Sequence, residues 1–186
     1  MEFSVKADVA QVLKSLDDIQ RNGVQSAAAR SLNKTLTTVA AEAARQIKAD
    51  IGPSSGGIKI GDIKAQLQKL LAKPRALTAT LRAQGKRIPI IKIDPNAVQT
   101  ATGVVYRSGS TNHEIPHAFL TMVKNGHRGV FARRGQSRLP ISEKYGPSIP
   151  KVFLNNVVLA AMQKTAETRW EKVFQQELNY ELQKWK

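Results

Sequence analysis

The chain has no cysteine among its 186 residues. That excludes a disulfide framework, cysteine-based zinc sites and a thiol nucleophile, and it fits a reducing compartment. Aromatic residues make up only 5% of the sequence, so the core must be built from Leu, Ile, Val and Ala. Stacking platforms for single-stranded nucleic acid are correspondingly scarce. No uninterrupted apolar run approaches the ~20 residues of a membrane-spanning helix, so no membrane partner is expected. The stretch Met1-Glu2-Phe3-Ser4-Val5-Lys6-Ala7-Asp8 carries early acids and no apolar segment, unlike a secretory signal. There is no G-x-S-x-G elbow, Walker A loop or G-x-G-x-x-G fingerprint. No catalytic residue, metal ligand or cofactor is therefore expected, and the chain is read as no enzyme.

Acidic residues are also missing from one region. Residues 59–142 hold 15 basic and only 3 acidic side chains, Asp62, Asp94 and Glu114. Residues 1–58 hold 7 basic and 6 acidic, and residues 143–186 hold 7 basic and 5 acidic, so 12 of the 15 net positive charges sit in the middle segment. A field this one-sided attracts a polyanion or an acidic protein surface; the plainer reading is solubilising charge. A length of 186 residues suits a single domain. Its expected parts are N-terminal helices in 1–51, a basic helix-plus-sheet segment in 59–142 and a C-terminal helix in 150–186.

Hydrophobic periodicity fills in those parts. Asp8–Gln20 reads as a short amphipathic helix ended by Arg21-Asn22-Gly23. Val24–Ile51 reads as a long alanine-rich helix with Ala28, Leu32, Leu36, Val39, Ala43 and Ile47 on one stripe. Gly52-Pro53-Ser54-Ser55-Gly56-Gly57 stops it. Asp62 reads as the N-cap of a third helix running through Leu67, Leu70 and Leu71 to Lys73-Pro74. Leu77–Arg82 alternates as a strand with one wet face, Ile88–Ile93 suits a central strand, and Gln84-Gly85-Lys86-Arg87 would be the turn between them. Val104–Ser108 is a weaker strand. Ala118–Lys124 and His127–Arg134 form a hairpin, with Asn125-Gly126 suited to a type I′ turn. From Pro150 onward the pattern is one long helix. Leu154, Val158, Met162, Ala166, Trp170, Phe174, Leu178 and Leu182 recur at every fourth position. That spacing drifts by ~40° per step on a 3.6-residue helix, so the stripe winds around and cannot face one flat core. Either the helix kinks near Lys172, or its halves pack on different partners. We favour Leu154–Trp170 on this chain's sheet and Phe174, Leu178, Leu182 and Trp185 as a subunit interface.

His113-Glu114-Ile115-Pro116-His117 has the letters of the zincin motif, which needs both histidines on one helical face. Pro116 between them and the strand-like run that follows put the motif in a loop at the start of a strand, so a zinc hydrolase is a remote reading. The basic residues carry more. Arg128, Arg133, Arg134 and Arg138 are expected to cluster around Phe131, with Lys86 and Arg87 in another turn. Arginine forks suit phosphate oxygens and give affinity without sequence readout. These six are candidate contacts to DNA or to an acidic partner.

Several short motifs resemble the minor tail protein Z family of lambda-like tailed phages and prophages. They are Ala27-Ala28-Ala29-Arg30 with Leu32-Asn33-Lys34, the segment Arg82 to Ile93, and Ile115-Pro116 with Ala118-Phe119. Lys124-Asn125-Gly126, Val130 with Arg133, Leu139-Pro140-Ile141 and Tyr145-Gly146-Pro147-Ser148-Ile149-Pro150 complete the set. The resemblance spans most of the chain and is weakest at 1–20 and 94–112. It implies a non-enzymatic tail completion protein at the head-proximal end of a long non-contractile tail. Such a protein makes the tail competent for head joining. The implied partners are other copies in a six-fold ring, the tail terminator or tail tube, head–tail connector proteins, and nonspecifically the end of the phage DNA. The implied location is the virion tail, after synthesis in the bacterial cytoplasm. The fold expected is α+β, a mostly antiparallel sheet from the middle segment packed by the alanine-rich and C-terminal helices. The alternative function is a nonspecific nucleic-acid-binding basic protein.

Overall fold

A computed structural model of the chain describes residues 1–6, 18–52, 57–123 and 126–184. Two long helices and a series of antiparallel strands give the α+β class expected from the sequence, with the strands distributed over several small sheets. The residues group into two compact units. The first comprises Met1–Ala44, Leu67–Gln84 and Asn156–Lys186, and the second comprises Arg45–Gln66 and Gly85–Asn155.

Helix α1 (Asp18–Ile51) carries the alanine-rich stretch. Ala28, Leu32, Leu36, Val39, Ala43 and Ile47 are all fully buried, so the stripe read from the sequence is the core face. Arg21-Asn22-Gly23 lies inside this helix and does not end an earlier one. A glycine inside a helix costs about 1 kcal/mol, and the burial of Val24, Ala27 and Ala28 immediately beyond it offsets that. The helix expected over Asp8–Gln20 lies outside the described residues, apart from Asp18–Gln20 in the first turn of α1. The helix stops at Ile51, as the glycine-rich stretch requires; residues 53–56 of that stretch lie outside the described residues.

In the first unit, β1 (Glu2–Lys6), β2 (Leu67–Leu70) and β3 (Thr78–Ala83) form an antiparallel sheet ordered β1-β3-β2. Phe3 lies opposite Leu81 and Leu67 opposite Ala83. The alternation read at Leu77–Arg82 belongs to β3, whose Ala79, Leu81 and Ala83 are buried; Thr80 on the other face is buried too. The helix expected from Asp62 to Lys73 is corrected. Helix α2 (Ile60–Ala65) follows Lys59 without a side-chain cap, and Leu67–Leu70 is a strand. Leu67, Leu70 and Leu71 fit a helical spacing, but pairing with β3 satisfies the backbone of this segment from outside, and that tertiary term overrides local propensity.

Helix α4 (Ile149–Phe153) and helix α5 (Asn156–Gln183) replace the single C-terminal helix. Pro150 occupies the first turn of α4, as its missing N–H allows. The break falls at Leu154-Asn155, where the Asn155 N–H closes onto the Val152 carbonyl at 2.9 Å. Helix α5 passes through Lys172 without interruption.

The second unit is built from short hairpins. Strands β4 (Arg87–Pro89) and β11 (Tyr145–Ser148) pair, so the Tyr145–Pro150 motif supplies a strand and then α4. The central strand expected over Ile88–Ile93 is corrected: after β4 the chain turns into α3 (Ile90–Ile93). Pro89 cannot donate to a ladder, and Ile90 and Ile93, three apart, are both buried. Gln84-Gly85-Lys86-Arg87 is no hairpin turn either, because β3 pairs with β1 and β2 whereas β4 pairs with β11. Strands β5 (Val98–Gln99), β6 (Gly103–Ser108) and β7 (Thr111–Pro116) form one sheet, and β8 (Ala118–Met122), β9 (Arg128–Arg133) and β10 (Ile141–Glu143) another. The expected hairpin is therefore present as β8–β9, with Phe119 opposite Phe131. At its tip Val123 N–H donates to the His127 carbonyl, and Gly126, at φ 71°, donates to Val123. The type I′ turn expected at Asn125-Gly126 falls on Asn125, which with Lys124 lies outside the described residues.

The core of the second unit is Ile90, Ala97, Val104, Ala118, Val130 and Ala132. Buried Asp94 pins the 94–107 segment: its carboxylate accepts the backbone N–H of Asn96 at 2.9 Å and of Arg107 at 2.7 Å. The C-terminus of α1 is capped within the same unit. Ser108 Oγ and the Gly109 N–H both donate to the Ile51 carbonyl, at 2.9 and 3.3 Å.

Candidate functional site

The six basic residues expected at an anionic partner all lie in the second unit, and all are exposed. They do not form one cluster. Arg128 and Arg133 stand at opposite ends of β9, roughly 17 Å apart at 3.3–3.4 Å per residue. Their separation by an odd number of positions also puts them on opposite faces. The expected gathering around Phe131 is corrected: Phe131 is buried, and Arg133 lies over Phe119, with its guanidinium 5.8 Å from the ring centre. Arg134 follows it, its N–H bonded to the Pro140 carbonyl across a loop that contains Arg138. Lys86 and Arg87 border a separate cleft of about 540 Å³ together with Lys59 and Lys92. Near Arg128, His127 Nε2 meets Glu143 at 2.7 Å, and Tyr145 donates to the same carboxylate at 2.8 Å. That bond to Glu143 pushes the Tyr145 phenol up.

Arg133 and Arg134 share a second cleft, of about 600 Å³, with residues the sequence reading did not select. Its walls are the 99–103 segment between β5 and β6, the corner His117-Ala118-Phe119 between β7 and β8, and the loop that follows β9. Gly103 is needed at this corner, because a Cβ there would sit 2.1 Å from the Ile115 carbonyl oxygen. Three chain segments far apart in sequence build the cleft, so no local signal announces it.

The H-E-x-x-H letters fall mostly on β7. Neighbouring strand residues point to opposite faces, so His113 and Glu114 diverge. His113 stacks on Tyr106 with ring centres 5.3 Å apart, and Glu114 accepts a hydrogen bond from Thr102 Oγ1. Among the described residues no three His, Asp or Glu side chains come together as a metal site.

On α5 the buried line is Val158, Met162, Ala166, Val173, Glu177 and Glu181. After Ala166 it advances seven positions, which returns it to within about 20° of the same face. That step takes back part of the drift, so the buried line winds by about 140° from Val158 to Glu181 where the i+4 series from Val158 to Leu182 would wind by about 240°. Phe174 and Leu178 flank that line half-buried, Leu182 is 45% exposed, and Trp185 lies outside the described residues. Trp170 and Phe174 stack at 5.1 Å.

The lower part of this line is ionic, which periodicity did not reveal. Arg30 Nε donates to Glu177 at 2.7 Å, another Arg30 nitrogen donates to Glu181, and Lys34 Nζ donates to Glu177. Hydrogen bonds from Lys34 and Arg30 hold Glu177 below the usual carboxylate range. Burial pulls Glu181 upward, but hydrogen bonds from Arg30 and Lys184 outweigh it and leave that carboxyl lowered. Asn33 lies between Arg30 and Lys34 in the sequence. Its side-chain oxygen accepts the Ala72 N–H at 2.7 Å and its amide donates to the Ala72 carbonyl at 3.0 Å.

The family of prophage minor tail protein Z matches residues 7–185. The chain belongs to that family, and it is a phage minor tail protein. Comparison with the curated proteins and with the solved structures gave no match. Among the described residues, no helix is long and apolar enough to cross a membrane.

Proposed function

We propose that this chain is a non-enzymatic tail completion protein. It acts at the head-proximal end of a long non-contractile tail and makes that tail competent to join a DNA-filled head. The observation that carries the reading is membership of the minor tail protein Z family over nearly the whole chain. In this reading several copies form a ring matched to the six-fold tail tube, through head-to-tail contacts. The exposed Leu182 and the half-buried Phe174 and Leu178, together with Trp185, supply apolar surface for a neighbouring copy. The ring meets the tail terminator or tail tube on one side and the head–tail connector on the other. Lys86, Arg87, Arg128, Arg133, Arg134 and Arg138 are solvent-exposed, and they face an acidic neighbour or the end of the phage DNA.

A deletion of the gene tests this reading. Tails of normal length that fail to yield infectious particles, rescued by the protein in trans, are expected. Tails that fail to assemble, or particles that remain fully infectious, would refute it. A nonspecific nucleic-acid-binding role away from the virion would then be the better account of the charge.

A further inference from the structure

The cleft at the end of β9 has features that a merely solvated arginine loop does not need. Arg133 and Arg134 line it, and neither is paired with a carboxylate among the described residues. No acidic residue contributes to its walls. Glu114, on β7, is engaged by Thr102 Oγ1. The Arg133 guanidinium carbon lies 5.8 Å from the ring centre of Phe119, itself opposite Phe131 in the β8–β9 ladder.

The corner opposite carries His117 at φ 57°, the one non-glycine residue in the left-handed region among the described residues. Its N–H is fixed to the Thr102 carbonyl at 2.8 Å. A side chain with a Cβ is costly in this conformation. Histidine is among the non-glycine residues that adopt this conformation more readily, and here it sets the imidazole at the cleft wall. Gln136 adds an amide from the loop after β9.

We infer that His117, Arg133, Arg134 and Gln136 form a phosphate-binding seat for the phosphodiester backbone of a nucleic-acid strand. One arginine fork saturates a planar carboxylate by itself. Two forks, an imidazole and an amide arriving from separate walls suit the tetrahedral oxygens of a phosphate better. The cleft, at about 600 Å³, is large enough for one phosphate and part of its sugar. This deepens the tail-completion reading, on which it rests, by committing Arg133 and Arg134 to phosphate where that reading leaves an acidic neighbour or the end of the DNA open.

The test is fluorescence anisotropy of a labelled single-stranded oligonucleotide titrated with the full chain at several salt concentrations. Arg134→Gln should weaken binding by about tenfold and reduce the salt slope by ~0.7. His117→Gly relieves the backbone and should leave the thermal midpoint unchanged or higher, yet weaken binding about threefold. Lys151→Gln, which removes the same charge at an exposed position outside both clefts, should change affinity less than about twofold. Equal losses for Arg134→Gln and Lys151→Gln would overturn the site in favour of a diffuse field. Displacement of the oligonucleotide by polyglutamate at equal charge concentration would overturn the phosphate assignment in favour of an acidic protein partner. Absence of oligonucleotide binding would also overturn it. Tail completion by a chain that fails this test would stand unaffected, because the deletion phenotype is read independently.

Discussion

Replacing Glu177 with alanine probes what holds the C-terminal helix in place. The carboxylate is 7% exposed and accepts from both Arg30 and Lys34. Charge-assisted hydrogen bonds contribute roughly 1.5–3 kcal/mol each when desolvated. Here the cations are 38% and 63% exposed, so each recovers hydration when its partner is lost, and the sum must be discounted. Arg30 also keeps Glu181. Glu177→Ala should therefore cost about 2 kcal/mol, and Glu177→Gln, which keeps an acceptor, about 1 kcal/mol. In a double-mutant cycle Arg30 and Glu177 should couple by about 1 kcal/mol. Urea denaturation followed by circular dichroism reads all three, as a shift of midpoint at constant slope. The pH dependence has a definite sign. Folding lowers both Glu177 and Glu181, so their contribution is complete above the ordinary carboxylate range and is lost as pH falls through the lowered values. The difference between wild type and Glu177→Ala should shrink in that acidic window. A Glu177→Ala penalty below about 0.5 kcal/mol, the range of ordinary surface substitutions, would refute the reasoning. So would a difference that grows on acidification.

Asn33→Ala strands the N–H and carbonyl of Ala72 together and should cost about 2 kcal/mol by the same denaturation assay. Met162→Ala opens a cavity at a fully buried position and should cost ~2–4 kcal/mol. Leu182→Ala, at a 45% exposed position, should leave the isolated chain within about 0.5 kcal/mol of wild type while reducing its incorporation into tails, measured by quantitative immunoblotting of purified particles. Reversing the charge of exposed Arg133, Arg134 and Arg138 together should leave the circular dichroism spectrum unchanged and abolish infectious titre in complementation.

What could be read from the sequence was whatever a single element encodes by itself. The stripe of α1 was legible because Ala28, Leu32, Leu36, Val39, Ala43 and Ile47 repeat at the helical period and all reach the core. The alternation of β3 and the β8–β9 hairpin were legible for the same reason at period two. Where two periods compete the reading failed: Leu67–Leu70 pairs as a strand because β3 is available beside it, and Pro89 diverts the isoleucine run into a helical turn. The bonds of Glu177 and Glu181 to Arg30 and Lys34 were invisible because those cations lie on α1, 143–151 positions away along the chain. An acid at a core position is intelligible only once the opposing cation is known. The arginines were legible as charge and not as geometry, since strand alternation sends Arg128 and Arg133 to different faces. The strain at His117 is a property of the β7–β8 corner, and no residue pattern announces it.

The position of this protein in the tail can be read by electron cryomicroscopy of tails purified from a phage carrying this gene, with and without the protein. Full-length tails are expected in both samples, with added density for this chain as a ring confined to the head-proximal end. Density elsewhere along the tail, or particles that contain none of the protein, would contradict that position.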